Sequence, residues 1–198
     1  MAGHLTPTNG EIYYEKNKII SHDPKQFMNL GIAYVPEDRN IDGLVGDMSV
    51  WENAVITETD DNRLRTPFGW LNKENCKTLA QKLCETYDVR TQSLEQPARL
   101  LSGGNVQKLL LGRWLTRNPK LLIACQPTRG LDEGAIASIQ KIILNVRRQG
   151  NAVLLITEDL DELLMLSDRI AVIYNGNLSK SFLAEELNRT KIGLMMAG

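Results

Sequence analysis

Leu101-Ser102-Gly103-Gly104-Asn105-Val106-Gln107-Lys108 opens an apolar, basic stretch that continues from Leu109 to Arg117. Two glycines behind a serine at the mouth of a helix expose backbone N–H groups at the positive end of its dipole, with a hydroxyl beside them. Such an end receives anions, phosphate above all. A lone SGG reads as an ordinary serine cap behind a glycine turn; the sequence downstream changes that reading. Asn118-Pro119-Lys120 leads into Leu121-Leu122-Ile123-Ala124-Cys125, and then into Gln126-Pro127-Thr128-Arg129-Gly130-Leu131-Asp132. A continuous apolar run between turn residues is a buried parallel strand. The polar group after it lies at the strand's carboxyl end, where open α/β sheets place their ligands.

Further elements extend in both directions. Glu11–Tyr14 and Lys18–Ile20 predict a hairpin, and Gly31–Val35 a core strand. From about Met48 to Thr116 the pattern is helical; Leu71, Asn75, Leu79, Leu83 and Tyr87 share one face, and Asn72 is placed to cap it. Ile136, Ile139, Ile143 and Val146 mark another apolar face, ending at Arg147-Arg148-Gln149-Gly150. Ala152–Ile156 reads as a second buried strand, Asp159–Leu166 as a short helix and Arg169–Tyr174 as a strand. Asn175-Gly176 then turns the chain into Leu178–Phe182. Strand, helix, strand, helix in that order predicts an α/β fold with a mainly parallel sheet and crossover helices. The boundaries divide the chain into a partial core over 1–47, a helical subdomain over 48–117 ending in the SGG helix, and the remaining core over 118–198.

The chain has 198 residues, 42% hydrophobic and 24% charged, enough for a full core. A net charge of −1 leaves no basic footprint for nucleic acid. No apolar run approaches the roughly 18 residues that cross a bilayer, so any membrane association runs through a partner. Cys76, Cys84 and Cys125 are odd in number and lack a CxxC spacing, and they read as reduced, buried thiols. Trp51, Trp70 and Trp114 read as core or subunit packing.

Together, LSGGxxQK and the apolar strand followed by PTRGLD resemble the signature motif, Walker B strand and D-loop of an ATP-binding cassette (ABC) ATPase. Gly31-Ile32-Ala33-Tyr34-Val35-Pro36-Glu37-Asp38-Arg39, with Gly43-Leu44-Val45 and Met48-Ser49-Val50-Trp51-Glu52-Asn53, is similar to the segment that replaces the Q-loop in the second cassette of simple-sugar and nucleoside importers. Ile192–Gly198 is similar to their carboxyl end. The resemblance covers nearly the whole chain and implies a P-loop NTPase-like domain of which the Walker A portion is missing. No GxxxxGK[ST] occurs, and the dipeptide Gly-Lys is absent. By the resemblance that loop lies upstream of Met1, which is then expected to be an internal boundary.

The resemblance also implies roles. In such ATPases two domains sit head to tail, each presenting its SGG helix to the nucleotide of the other, so Ser102, Gly103, Gly104, Gln107 and Asp132 are expected to contact ATP held by a first cassette. Glu37, at the Q-loop-like position, is either a sensor of the γ-phosphate or metal or a plain surface carboxylate. Arg129 pairs with a carboxylate or structures its loop. This chain's own site departs from the family pattern three times. Cys125 stands where the metal-positioning aspartate belongs, and magnesium prefers oxygen ligands. Gln126 stands at the general-base position; it cannot take a proton from water, although a glutamine can orient the water molecule. Glu158 stands at the switch-histidine position, where an acid repels phosphate.

The expectation is therefore an energy-coupling ATPase subunit of an importer for nucleosides or simple sugars, inactive in isolation. At the cytoplasmic face of the membrane it is expected to use ATP and Mg²⁺ in the assembly and to partner a first cassette, transmembrane permease subunits and, indirectly, a substrate-binding protein. The alternative is a regulatory or structural cassette half that never contributes to turnover. A soluble cassette ATPase of DNA repair or translation is disfavoured by the near-neutral charge and the Pro36–Arg39 segment.

Overall fold

The computed structural model describes residues 3, 5–19 and 23–198. Its centre is a three-stranded parallel sheet, order β3-β4-β5, built from β3 (Ile32–Val35), β4 (Leu121–Cys125) and β5 (Ala152–Ile156). The register sets Ile32 beside Leu121 and Leu121 beside Ala152. The two-residue alternation of a strand sends successive side chains to opposite faces. Leu122 and Ala124 thus join Ala33 and Val35 on the face covered by α4 (Gly103–Leu115) and α5 (Glu133–Arg148), through Leu111, Ile139, Ile143 and Val146. Ile123 and Ile32 face the other way, onto Ile19 and Phe27 of the hairpin β1 (Tyr13–Tyr14)/β2 (Asn17–Lys18) and of α1 (Pro24–Asn29).

The helical region forms its own apolar cluster from α2 (Val50–Val55), α3 (Lys73–Tyr87) and the near half of α4. Each helix starts where the sequence supplies a cap. Ser49 and Glu52 make a reciprocal capping box on α2, and the Asn72 side chain accepts from the Glu74 and Asn75 amides. α3 stops at Asp88 in the left-handed conformation, with Lys108 of α4 donating to its carbonyl and carboxylate. α4 therefore spans both clusters and is the beam that joins them.

Past β5 come α6 (Leu160–Leu166), the short pairs β6 (Arg169–Ile170)/β9 (Phe182–Leu183) and β7 (Ile173–Tyr174)/β8 (Asn177–Leu178), and α7 (Arg189–Ala197). Several expectations need correction here. The strand expected over Arg169–Tyr174 is broken in two, and the one over Leu178–Phe182 splits likewise, because β6 and β7 pair with different partners. β5 is not a buried strand: Ile156 is 48% exposed, since among the described residues β5 pairs with β4 alone and its other, apolar edge is open. Of the two readings for the tryptophans, core packing holds for Trp51 and Trp114, which pack against the two main clusters, whereas Trp70 is 77% exposed and only the subunit reading is left to it. Cys76 and Cys84 are buried but Cys125, at the strand end, is only half-buried. Ile20 of the expected hairpin and both histidines, His4 and His22, lie outside the described residues. No helix among the described residues is long and apolar enough to cross a membrane.

Candidate functional site

The amino end of α4 differs from every other α-helix described. Asp23, Ser49, Asn72, Asp132, Asp159 and Asn188 each accept a first-turn amide with the side chain. The Ser102 hydroxyl does not; it accepts from Asn105 Nδ2 at 2.8 Å, and the first backbone bond of the helix runs from Val106 N to Ser102 O at 2.9 Å. The amides of Gly103, Gly104 and Asn105 thus find no acceptor among the described residues. Ser102 is exposed and Gly103 half-buried, so the tip is reachable from solvent. Orphan amides at an accessible helix start are the chemistry of phosphate binding.

Both glycines are there for space as well. An alanine Cβ at Gly103 would lie 3.1 Å from Arg39 Nη2 and 3.3 Å from Leu131, and one at Gly104 would lie 2.7 Å from the Ala135 side chain. The tip is thereby packed against the loop after β4 and the first turn of α5. Gln107 lies elsewhere: at 2% exposure its side chain is inside the fold, and Gly104 is buried beside it. The helical period explains this, since Gln107 falls on the same buried stripe as Leu111 and Gly104. Asp132 is exposed, and its carboxylate caps α5 by accepting from Ala135 N at 2.9 Å.

Cys125, Gln126 and Glu158 come together at the carboxyl end of β4 and β5. Gln126 holds a left-handed backbone (φ 48°) as the chain leaves β4, a conformation costly for a residue with a Cβ, and its N–H donates to Ile156 O at 2.7 Å. Its side-chain oxygen faces the Glu158 amide at 3.4 Å. Burial pushes the Cys125 thiol above its usual range, only partly offset by a hydrogen bond with Tyr34. A neutral thiol is no ligand for magnesium, and no cluster of three metal-binding side chains occurs among the described residues. These residues do not fit a resident Mg²⁺.

A second set of contacts ties the segment after β3 to this region. Arg129 pairs with Glu37, and Arg39 Nη1 donates to the Arg129 carbonyl at 2.7 Å. Sequence reading named Glu37 and Arg129 but missed Arg39. Its contact to Arg129 spans ninety residues of chain, beyond any local pattern.

A family model described as "ABC transporter" matches residues 1–129. A glucose import ATP-binding protein of Haloferax volcanii is 41% identical over 200 residues, covering 100% of this chain and 36% of that protein. A guanosine import ATP-binding protein of Bacillus subtilis is 41% identical over 190 residues, 96% of this chain and 37% of that protein. The chain thus spans little over a third of the length of these relatives. Among solved structures, a nucleotide-free ATP-binding cassette from an ABC transporter aligns with TM-score 0.76 at 24% identity, covering 100% of this chain and 77% of that one. A dimeric cassette in a post-hydrolysis state bound to ADP and Pi aligns with TM-score 0.75 at 21% identity, covering 92% and 77%.

Proposed function

Because this chain belongs to the ABC transporter family of ATP-binding cassettes, we propose that it is part of the second cassette of a simple-sugar or nucleoside importer ATPase. It presents Ser102, Gly103 and Gly104 to ATP bound by the first cassette, with Asp132 at the same interface. The observation that carries this reading is the uncapped, accessible amide tip of α4. When bound there, ATP supplies the anionic phosphates that complete the tip's hydrogen bonds, and two cassettes are held together across it. Ser102 and the orphan amides bind and orient; they move no proton.

The chain's own strand end is read as hydrolytically poor. Cys125 offers no carboxylate, Gln126 no base, and Glu158 places an acid where a donor to phosphate is needed. The open apolar edge of β5 supports a further parallel strand in the longer protein, consistent with the greater length of the relatives. Docked at the cytoplasmic face of the membrane, the chain is proposed to partner a first cassette and transmembrane permease subunits, and a substrate-binding protein only indirectly, through the permease. Binding energy at the tip then biases the permease between conformations.

The test is Gly103→Asp in the full-length importer, which sets a carboxylate against the incoming phosphate. ATP turnover and uptake are expected to fall at least about tenfold, by loss of charge-assisted bonds. Unchanged rates would favour the reading of a non-contributing half.

A further inference from the structure

Arg39 stands in an electrostatically unfavourable place. The Asp38 carboxylate accepts the Asn40 and Ile41 amides, which shapes the one-turn π-helix Arg39–Gly43, and Arg113 Nη2 holds the far end by donating to Gly43 O at 2.8 Å. The guanidinium so aimed donates once, from Nη1 to Arg129 O. Nη2 lies 3.1 Å from where a Cβ of Gly103 would be and 3.8 Å from that of Gly130. Nε is buried without a hydrogen-bond partner. The neighbouring cation, Arg129, is neutralised by Glu37, but Arg39 pairs with no carboxylate among the described residues. A fixed positive charge beside the positive end of a helix is repelled by the dipole, and an anion shared between the two removes that cost.

We propose that Arg39 is a phosphate-facing cation of the α4 tip, which shares the terminal phosphoryl oxygens of a nucleoside triphosphate with the Gly103 and Gly104 amides. This rests on the reading of the tip given above and adds a residue to it. The arrangement also gives the bound phosphate a route outward. Arg39 begins the turn that α4 grips through Arg113, so a phosphate drawing on the guanidinium pulls on the Glu37–Gly43 segment.

The experiment is steady-state ATP hydrolysis by the full-length, permease-bound protein carrying Arg39→Gln, Arg39→Lys or Gly103→Asp, with thermal melting of each. Arg39→Gln removes the charge and, being shorter than the guanidinium by two bonds, also gives up the bond to the Arg129 carbonyl, so its melting temperature is read beside its KM. It is expected to raise the KM for ATP about five- to tenfold, as loss of one charge-assisted bond does, with kcat within about twofold. Arg39→Lys, which returns the charge but not the fork, is expected to recover part of the loss, with KM between the Arg39→Gln and parental values. A parental KM in Arg39→Gln alongside a crippled Gly103→Asp would overturn the role of Arg39 while sparing the tip. A fall in kcat and melting temperature with KM unchanged would make Arg39 a brace, which also overturns it. Full activity in Gly103→Asp would instead sink the reading of the tip itself.

Discussion

Gly104 and Ala135 meet so closely that a methyl group on the glycine would lie 2.7 Å from the alanine Cβ. The second glycine of the SGG turn thus sets how near α4 and α5 approach, apart from any ligand. Gly104→Ala is expected to destabilise the fold by about 1–3 kcal/mol, the usual cost of overpacking. Ala135→Gly in the same chain is expected to recover most of it. Denaturant melts of the single and double variants measure this, and additive losses would contradict it.

Arg113 is the buried guanidinium that locks α4 to the helical region. It is 6% exposed, burial lowers its pKa to about 10, and it donates to Gly43 O at 2.8 Å and Asn53 O at 3.4 Å. It remains charged at neutral pH. Arg113→Met keeps the length but leaves two carbonyls without a donor, and a loss of about 2–4 kcal/mol is expected. Equilibrium unfolding checks it; a loss under about 0.5 kcal/mol would mean that the two carbonyls find water instead.

Cys84, packed between α3 and its neighbours, is pushed by burial from 9.0 up to about 11. Between those values the unfolded chain has released a proton that the folded chain keeps. Stability is fully present below pH 9 and falls as pH rises through this window, by about 2–3 kcal/mol over the full span. Cys84→Ala is expected to lower stability at pH 7 yet flatten the decline between pH 9 and 11. An identical alkaline slope in the variant would assign the decline to other groups. The same burial makes Cys84 slower than half-buried Cys125 to react with a thiol reagent at pH 8.

Much of this architecture is written locally. Leu121–Cys125 becomes β4 because an unbroken apolar run can bury both faces, and Asn72, Asp132 and Asp159 announce helix starts because their short oxygens reach the first amides. The C-terminal strands were misjudged for the opposite reason: residues 169–183 have strand-like composition, but which partner each pair finds is a tertiary matter. At the site, Ser102 and Gly103 were legible from the turn chemistry. The burial of Gln107 follows from its helical spacing to Leu111, which sets both on the inward stripe of α4. Arg39 was not legible, since a cation in a loop acquires meaning only when folding carries Gly103 against it.

The most direct measurement is a structure of the full-length protein on its permease with ATP trapped between the cassettes. The account predicts the γ-phosphate of the nucleotide held by the first cassette within about 3 Å of the Ser102 hydroxyl and the Gly103 amide. A trapped nucleotide whose phosphates lie far from the α4 tip, with Ser102 and Gly103 facing solvent, would contradict it.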